Sequence, residues 1–527
     1  MSVLLFLIVL YILLGLSMMK LFEKAGIPGW KALVLGVAAV EWCKLVGRKP
    51  SYALWFLFPV VNLFIYAGLV IDLIRSFGRH GFWEAVLAVV YAPVSFFLVG
   101  KDAKATYEGP ILEKEREYHR LHHEAIERKD TLGLKKLEAQ YPQFKKSASR
   151  EWAEAVIFAV FAASFIRMFL IEAYVIPSSS MEGSLKVGDY LFVSKAHYGI
   201  RTPMTVIQFP LMHNVMPFVG SESYLKNPSL PYYRLPALET VDRNEPVVFN
   251  WPAGDSVFIA PDRSWDIGQW VNGNISQNQY GGKKFPFVTR PVDKKDHYIK
   301  RCLAVGGDSL EIREGQVFVN GQAAQNPTHM QFLYAFNRLE TSTINPKKLQ
   351  DLGVNVSEIR TSGNTVFLFL DVDQLEKLRA IGLKLEKVKQ PNEPVKLFPN
   401  SPKRVSTWSG DNFGPIYIPK KGATVALNLE SLPFYWRAIK VYEQNKLEVK
   451  EGKIYVNDQE ATSYTFKQNY YWMMGDNRHN SEDSRYWGYV PEDHIVGKPL
   501  FIWFSTKGGN IRNGINWNRI FTSANAM

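Results

Sequence analysis

Apolar runs dominate the first third of the chain. The longest are residues 1–19, 50–71, 85–100 and 152–173. Only the last contains charged side chains, Glu154, Arg167 and Glu172, which lie near its two ends and are expected to snorkel to the membrane interface. Because a helix needs about 20 apolar residues to cross a bilayer, the pattern predicts about four transmembrane α-helices. Helices buried in a soluble core are the alternative.

The distribution of Lys and Arg predicts the orientation of these helices. With the N-terminus outside, eighteen Lys and Arg residues fall in cytoplasmic segments and two, Arg75 and Arg79, in an outer loop. Because cytoplasmic loops carry the excess of positive charge, we expect everything after Tyr174 on the outer face of the cell membrane, in a multi-pass protein. Met1–Met19 has neither a positively charged start nor a small-residue cleavage site, which favours an anchor over a removable signal peptide.

A different pattern begins at Tyr174. Short runs of Val, Ile, Phe and Tyr alternate with Gly, Pro, Asn and Asp, which is typical of strands joined by tight turns. The predicted strands include Tyr190–Val193, Val247–Asn250, Leu310–Ile312 and Gln316–Val319. Between 323 and 412 the pattern changes again and predicts a strand at Val366–Leu370 and a helix at Asp373–Ile381. We therefore expect a mainly β domain that carries a small α+β insertion of unknown role.

The β region contains an internal repeat at an offset of 137 residues. Tyr298–Gln322 aligns without gaps on Tyr435–Gln459, and eight of the 25 positions are identical. Any two strand–turn–strand units look somewhat alike, but an ungapped match over both strands and the turn favours duplication.

Composition excludes several classes of protein. A chain of 527 residues that is 47% hydrophobic and 21% charged is expected to form three to four folded units. Two cysteines, Cys43 and Cys302, are too few for a disulfide scaffold, a zinc ribbon or an iron–sulfur protein. The net charge of +12 suggests nucleic acid or an anionic membrane surface as a partner, but no segment is densely basic, which weakens the nucleic-acid interpretation.

Three serines follow the last apolar run, at Ser178, Ser179 and Ser180. Serines after a proline usually form only a turn, but these lie where a membrane helix is expected to emerge. A serine nucleophile needs a base, and no serine of the outer region lies in a G-x-S-x-G motif that would suggest a histidine partner. Lysine is the other possible base, provided that burial lowers its pKa.

Lys300 interrupts an otherwise apolar predicted strand. On that strand it shares a face with Tyr298 and Cys302. An exposed edge lysine is the alternative. In the aligned second copy the corresponding residue is Arg437, which cannot lose its proton in a protein, so only the first copy is able to supply a base.

A third block, Met473–Gly488, contains a Gly-Asp-Asn-Arg turn and several charged residues. Such a turn is ordinarily a surface loop without a role in catalysis. It is also able to place a hydroxyl beside a buried amine, and Asp–Arg pairs are able to hold it in place.

These three blocks, in this order after a membrane helix, resemble those of the type I signal peptidases (leader peptidases), which are membrane-anchored serine proteases with a Ser–Lys dyad on an all-β fold. Ser178–Met181 matches the family's Ser-x-Ser-Met, Lys300-Arg301 its Lys-Arg pair, and Gly475–Gly488 its Gly-Asp-Asn-Arg…Asp-Ser-Arg-Tyr-Trp-Gly block. The resemblance covers about 174–312 and 465–505. Gly183-Ser184 and Asn244–Pro246 depart from the family's Pro-Thr and Gly-Asp.

The resemblance implies a role for each matching residue. Ser180 is expected to be the nucleophile and Lys300 its general base. The Ser178 hydroxyl and the Ser180 backbone N–H would form the oxyanion hole, and Ser481 would orient the Lys300 amine. The residues expected to brace the loop are Arg301, Gly475, Asp476, Asp483 and Arg485. Those expected to line an apolar substrate pocket are Ile176, Pro177, Met181, Leu185, Tyr298 and Ile299.

The resemblance also implies the activity and the domain organisation. It implies removal of signal peptides from exported preproteins, with no cofactor or metal, and with the lipid bilayer and the secretion machinery as further partners. A catalytically degenerate β module that binds secreted chains is the alternative. The expected segments are 1–100 (membrane region with about three spans), 101–150 (charged cytoplasmic helical segment), 151–173 (transmembrane helix), 174–322 (first part of the catalytic domain), 323–412 (insertion) and 413–527 (duplicated β unit and completion of the catalytic domain).

Overall fold

The chain folds into two compact units, Met1–Phe158 and Ala159–Met527. The computed structural model describes residues 3–57, 61–145, 148–216, 221–260, 264–266, 287–339, 345–392, 396–401 and 406–525. The boundary between the units falls within one long helix.

The first unit is helical. Its helices are α1 (Val3–Lys24), α2 (Val37–Val46), α3 (Val61–Arg75), α4 (Phe82–Val90), α5 (Ala92–Lys101), α6 (Ile111–Glu127), α7 (Thr131–Gln140) and the first part of α8 (Ala148–Phe169). Helix α1 packs against α5. The buried Trp42 donates its indole N–H to the carbonyl of Leu69 (3.0 Å), which ties α2 to α3. Residues 101–150, predicted to form a charged cytoplasmic helical segment, contain α6 and α7, and their cytoplasmic location stays a prediction.

Long membrane helices account for only part of the predicted spans. Among the described residues, α8 is the one helix that is long and apolar enough to cross a membrane, from Glu151 to Phe169. The run 85–100 is divided between α4 and α5, where Pro93 occupies the first turn of α5, a position that suits a helix start. The run 50–71 is divided between a 3-10 helix (Pro50–Leu57) and α3, and both it and the run 1–19 lie partly outside the described residues. Four spans are therefore not confirmed.

The fourth predicted run ends in a strand and not in a helix. Helix α8 stops at Phe169, and a strand begins at Ile171. Glu172, which was expected to snorkel to the interface, is buried. It accepts a hydrogen bond from Arg167 (2.7 Å) and forms an ion pair with Lys195 (2.8 Å). That expectation is wrong, because two cations on neighbouring elements pair with the carboxylate inside the β unit.

The second unit is mainly β. Its strands are β1 (Ile171–Val175), β2 (Asp189–Ser194), β3 (Pro246–Asn250), β4 (Ser256–Ile259), β5 (Ser264–Asp266), β6 (Phe287–Thr289), β7 (His297–Ala304), β8 (Ser309–Arg313), β9 (Gln316–Val319), β10 (Gln322–Ala323), β11 (Phe332–Asn337), β12 (Arg360–Ser362), β13 (Thr365–Leu370), β14 (Glu386–Lys387), β15 (Phe413–Tyr417), β16 (Thr424–Ala426), β17 (Leu447–Lys450), β18 (Lys453–Val456), β19 (Gln459–Glu460), β20 (Ser463–Thr465), β21 (Tyr470–Met474), β22 (Val490–Pro491) and β23 (Ile495–Ser505). Its helices after α8 are α9 (Pro346–Asp351), α10 (Val372–Ala380), α11 (Leu432–Arg437) and α12 (Ser484–Trp487).

An antiparallel central sheet organises this unit. Within the described residues its order is β1-β2-β23-β3-β7-β21-β22. Strand β3 is buried along its whole length, and β7 is buried from Lys300 to Ala304, so the sheet has cores on both faces. Strand β7 lies between β3 and β21, which places Lys300 deep in the sheet.

The predicted insertion folds around its own small core. Strands β12, β13, β11 and β14 form a separate sheet, and β13 and α10 coincide with the strand and helix expected from the sequence. Buried apolar side chains such as Phe336, Leu368 and Leu378 pack together between them.

The repeat is reproduced in part. The hairpins β8–β9 and β17–β18 have the same register, with Leu310 opposite Val319 and Leu447 opposite Val456. The residues that precede them differ, because Tyr298–Ala304 is part of strand β7 whereas Arg437 ends helix α11. The sequence alignment therefore holds for the hairpins and fails for the seven residues that include Lys300.

Candidate active site

The serine segment leaves the sheet directly after β1. The backbone N–H of Ile176 still pairs with strand β2, where it donates to the carbonyl of Asp189 (2.9 Å). The chain then turns through Pro177 into a short 3-10 turn, Ser179–Met181. Ile176, before the turn, and Met181, its last residue, are buried in the same core. The turn is therefore anchored at both ends, while Ser180 remains half-buried and Ser178 exposed.

Lys300 reaches this segment from β7. Its backbone lies opposite Val247 of β3, and its side chain is only 3% exposed. The Nζ atom donates a hydrogen bond to Ser180 Oγ at 2.6 Å and lies 5.5 Å from the centre of the Tyr298 ring. The structure therefore brings together the hydroxyl and the amine that the sequence singles out, although 120 residues separate them along the chain.

Burial changes the protonation of Lys300. Removal of the amine from water lowers the pKa of Lys300 to about 8, because burial disfavours the charged form. The carboxylates of Asp483, Glu482 and Asp476 act in the opposite direction and are outweighed. A substantial fraction of the amine is therefore neutral near pH 8 and able to accept a proton.

The hydroxyl of Ser178 lies on the exposed side of Ser180. The two Oγ atoms are 3.5 Å apart. A donor at that distance is close to where negative charge would develop when Ser180 attacks a carbonyl.

The Gly-Asp-Asn-Arg turn follows β21 and packs directly on the serine segment. Asn477 donates its backbone N–H to the carbonyl of Ser180 (3.2 Å). A Cβ atom added to Gly475 would lie 2.5 Å from that carbonyl oxygen and 2.3 Å from Ser481 Oγ, so no other residue fits at this position. Ser481 is buried beside the site, but among the described residues no hydrogen bond joins it to Lys300, and its predicted orienting role remains a prediction.

Buried Asp–Arg pairs hold this turn, as the sequence suggests. Arg301 donates to both carboxylate oxygens of Asp476 (2.9 and 2.6 Å). Arg485 does the same to Asp483 (2.9 and 2.8 Å). Such two-point pairs fix geometry as well as charge. Although burial alone would raise it, the pKa of Asp483 is lowered, chiefly by Arg485. Among the described residues, no three His, Cys, Asp or Glu side chains are grouped as metal ligands would be.

A cavity of about 940 Å³ opens beside Ser180 and Lys300. Five of the six predicted pocket residues line it: Ile176, Pro177, Met181, Tyr298 and Ile299. Leu185 does not, because it is fully buried in the core with Leu191 and Val193, and its assignment to the pocket is wrong.

Sequence reasoning missed other residues of this cavity. The missed side chains include Val248, Ile259, His297, Glu358, His479 and Asn480. Val248 lies on the opposite face of β3 from Val247 and Phe249, and the alternation of side chains along a strand was enough to identify it. Glu358 belongs to the insertion, and nothing in its local sequence indicates that it meets the serine segment.

Comparison with known proteins decides the family. The family model described as "Signal peptidase, peptidase S26" matches residues 149–366 and 403–504, which is more than half of the chain. The chain belongs to this signal peptidase family. It is thus a membrane-bound serine endopeptidase of the signal peptidase I type, which removes signal peptides, and the alternative of a catalytically degenerate binding module is not favoured. The match extends into the predicted insertion as far as residue 366.

Signal peptidases I from several bacteria are similar over most of their length. That of Buchnera aphidicola subsp. Baizongia pistaciae is 23% identical over 407 residues, covering 76% of this chain and 91% of the relative. That of Helicobacter pylori strain J99 is 24% identical over 387 residues, covering 71% and 92%. Residues 30–110 match a second family model, which describes a family of unknown function (DUF5684).

Proposed function

We propose that Ser180 and Lys300 are the catalytic dyad of this signal peptidase. The observation that carries the proposal is the 2.6 Å hydrogen bond from a buried lysine to a half-buried serine hydroxyl, at the edge of a cavity that apolar side chains line in part. A lysine with a pKa of about 8 is able to act as a general base near neutral pH.

The geometry supports an acyl-enzyme mechanism. Neutral Lys300 takes the proton of Ser180 Oγ as that oxygen bonds to the carbonyl carbon of the scissile peptide. The Ser178 hydroxyl and the Ser180 backbone N–H stabilise the oxyanion, each donor contributing on the order of 3 kcal/mol. The protonated lysine then gives its proton to the leaving amine, and the mature protein departs. Neutral Lys300 next removes a proton from water, which releases the signal peptide and regenerates Ser180.

We propose further that the protein is multi-pass and that its β unit rests on the outer leaflet of the bilayer. Exposed apolar side chains cluster on the loop after β2, among them Val206, Ile207 and Phe209. Arg167 near the end of α8 donates to the carbonyl of Leu211 in the same loop, so this apolar loop is attached where the membrane-length helix ends. A cleavage site that emerges from the bilayer would reach the cavity without leaving the surface. Contact with the secretion machinery, and the absence of any nucleic-acid partner, remain predictions.

Incubation of the detergent-solubilised protein with a preprotein tests the dyad. We expect a truncated product from the wild type and none from Ser180→Ala. Ser309→Ala, which removes an exposed hydroxyl on β8, is the matched control and should process normally. Processing by Ser180→Ala at the wild-type rate would reject the assignment, and absence of processing by the folded wild type would favour the degenerate binding module.

A further inference from the structure

The insertion reaches the serine segment at Ser179. Ser179 lies between the proposed nucleophile and the proposed oxyanion donor and is 4% exposed. Its hydroxyl donates to Glu358 Oε1 at 2.6 Å and accepts from Asn480 Nδ2 at 2.8 Å. Asn480 also reaches the second carboxylate oxygen of Glu358 (3.4 Å). The three side chains form a closed cluster that the Ser–Lys dyad does not account for.

Glu358 is held in place by its own local structure. It ends a 3-10 turn, Val356–Glu358, whose first residues are capped by Asn355, with the Asn355 side chain accepting from the backbone N–H of Ser357 (3.2 Å). Strand β12 follows two residues later. The carboxylate therefore sits on an ordered corner of the insertion.

The insertion is in turn fixed against the Gly-Asp-Asn-Arg turn. The backbone N–H of Gln331 donates to the carbonyl of Asp476, and the carbonyl of Gln331 accepts from the backbone N–H of Arg478, both at 2.9 Å. His479 contacts the carboxylate of Asp411 at 2.8 Å. These contacts tie both ends of the insertion to the turn that carries Asn480, so Glu358 and Asn480 approach Ser179 as parts of one assembly.

A departure from the family's sequence fits the same arrangement. Gly183, which replaces the family's proline, has a φ of +95°. A Cβ atom there would lie 2.3 Å from the carbonyl oxygen of His329, a residue of the insertion. Glycine at this position therefore lets the insertion lie against the chain that follows the nucleophile.

We infer that Glu358 is a positioning residue of the active site, which fixes the Ser178–Ser180 backbone through the Ser179 hydroxyl. The inference rests on the proposed function of Ser180. Fixing the peptide between Ser179 and Ser180 sets the direction of both the Ser180 hydroxyl and the Ser180 N–H. Because small displacements of reacting groups cost large factors in rate, Glu358 acts on the chemical step and not on substrate affinity.

The charge of Glu358 is not what matters in this arrangement. The carboxylates that act on Lys300 most strongly are Asp483, Glu482 and Asp476. A variant that keeps an acceptor oxygen but removes the charge should therefore keep both the rate and its pH dependence.

Kinetics of the full-length enzyme in detergent test the inference. We expect Glu358→Ala to lower kcat about tenfold, to leave KM within about twofold, and to leave the midpoint of the pH–rate profile unchanged. Glu358→Gln, whose amide oxygen still accepts from Ser179, should restore kcat to within about threefold of wild type. Glu376→Ala, which removes an exposed carboxylate from α10 of the same insertion, is the matched control and should equal the wild type.

A second variant separates positioning from folding. Ser179→Ala removes the same hydrogen bond from the other side, and the double variant Ser179→Ala/Glu358→Ala should be no slower than the slower single variant. Wild-type kcat in folded Glu358→Ala, additive losses in the double variant, or a loss confined to KM would each overturn the inference. These outcomes are distinct from failure of the proposed dyad, in which Ser180→Ala itself would remain active.

Discussion

The two copies of the repeat carry the same hairpin on different supports. In each hairpin a glutamate and a glycine with positive φ make the turn, Glu314-Gly315 and Glu451-Gly452. In each, an asparagine after the second strand accepts a hydrogen bond from a backbone N–H where the first strand begins. Asn320 accepts from Ser309, the first residue of β8 (2.9 Å), and Asn457 accepts from Lys446, the residue before β17 (3.0 Å). The residues that precede the hairpin share neither conformation nor surroundings.

The difference shows which part of the repeat is determined locally. A hairpin's turn and register depend on residues within it, so they persist in both copies. The preceding segment takes its conformation from what it packs against. In the first copy β3 and β21 flank it and keep Lys300 in a sheet. In the second copy, no two strands flank this segment among the described residues. It is helical instead: Pro433 occupies the first turn of α11, and Arg437 at its end donates to Asp255 (2.5 Å).

The largest expected contrast lies between Lys300 and Arg437. Lys300→Ala should reduce preprotein processing on the order of 10³-fold or more, because it removes the base. Arg437→Ala should retain the wild-type rate per folded molecule while lowering the free energy of unfolding by about 1–3 kcal/mol, since it breaks the ion pair with Asp255. Processing assays alongside thermal denaturation in detergent measure both. Loss of processing in folded Arg437→Ala would show that the copies share a catalytic role.

Exchanging the residue of one copy for that of the other sharpens this contrast. In the wild type, kcat/KM should rise about tenfold per pH unit below pH 8 and level off above it, because the amine of pKa about 8 must be neutral to act. Lys300→Arg should be inactive from about pH 6 to pH 10, since a guanidinium does not deprotonate. Recovery of Lys300→Arg activity at high pH would rule out the lysine as the base.

The turn glycines should differ in their effect on stability. Both have positive φ, so alanine strains either turn by about 1 kcal/mol. A Cβ atom on Gly315 would also lie 2.8 Å from Phe332 of the insertion, whereas nothing lies within 4 Å of one on Gly452. Thermal denaturation should therefore show a larger fall in the melting temperature for Gly315→Ala than for Gly452→Ala. Equal shifts would mean that the Phe332 side chain moves aside to admit the added methyl group.

The smallest contrast concerns the two asparagines. Each side-chain amide also donates, Asn320 to the carboxylate of Asp308 and Asn457 to the neutral amide of Asn445, both at 2.9 Å. Asn320→Ala should cost about 1 kcal/mol more than Asn457→Ala, because hydrogen bonds to charged groups are the stronger ones. Denaturant titration of the two variants measures the difference, and the opposite order would contradict the equivalence of the hairpins.

The motifs predicted the site because they bring their own local geometry. The serine turn, the lysine strand and the Gly-Asp-Asn-Arg turn each have one conformation that suits their residues, as the buried contact at Gly475 illustrates. Leu185 was misplaced because local sequence does not reveal which face of the turn it joins. Glu358 escaped for a related reason: its partner Ser179 lies 179 residues away in the sequence, and an isolated carboxylate resembles any solvated one.

The sheet order has a consequence for when the enzyme becomes active during its synthesis. Strand β23, near the end of the chain, lies between β2, which follows the serine segment, and β3, which borders the lysine strand. The Gly-Asp-Asn-Arg turn, which also contacts the serine segment, precedes β23 by only about 20 residues in the sequence. We therefore expect Ser180 and Lys300 to meet only after the ribosome has synthesised strand β23.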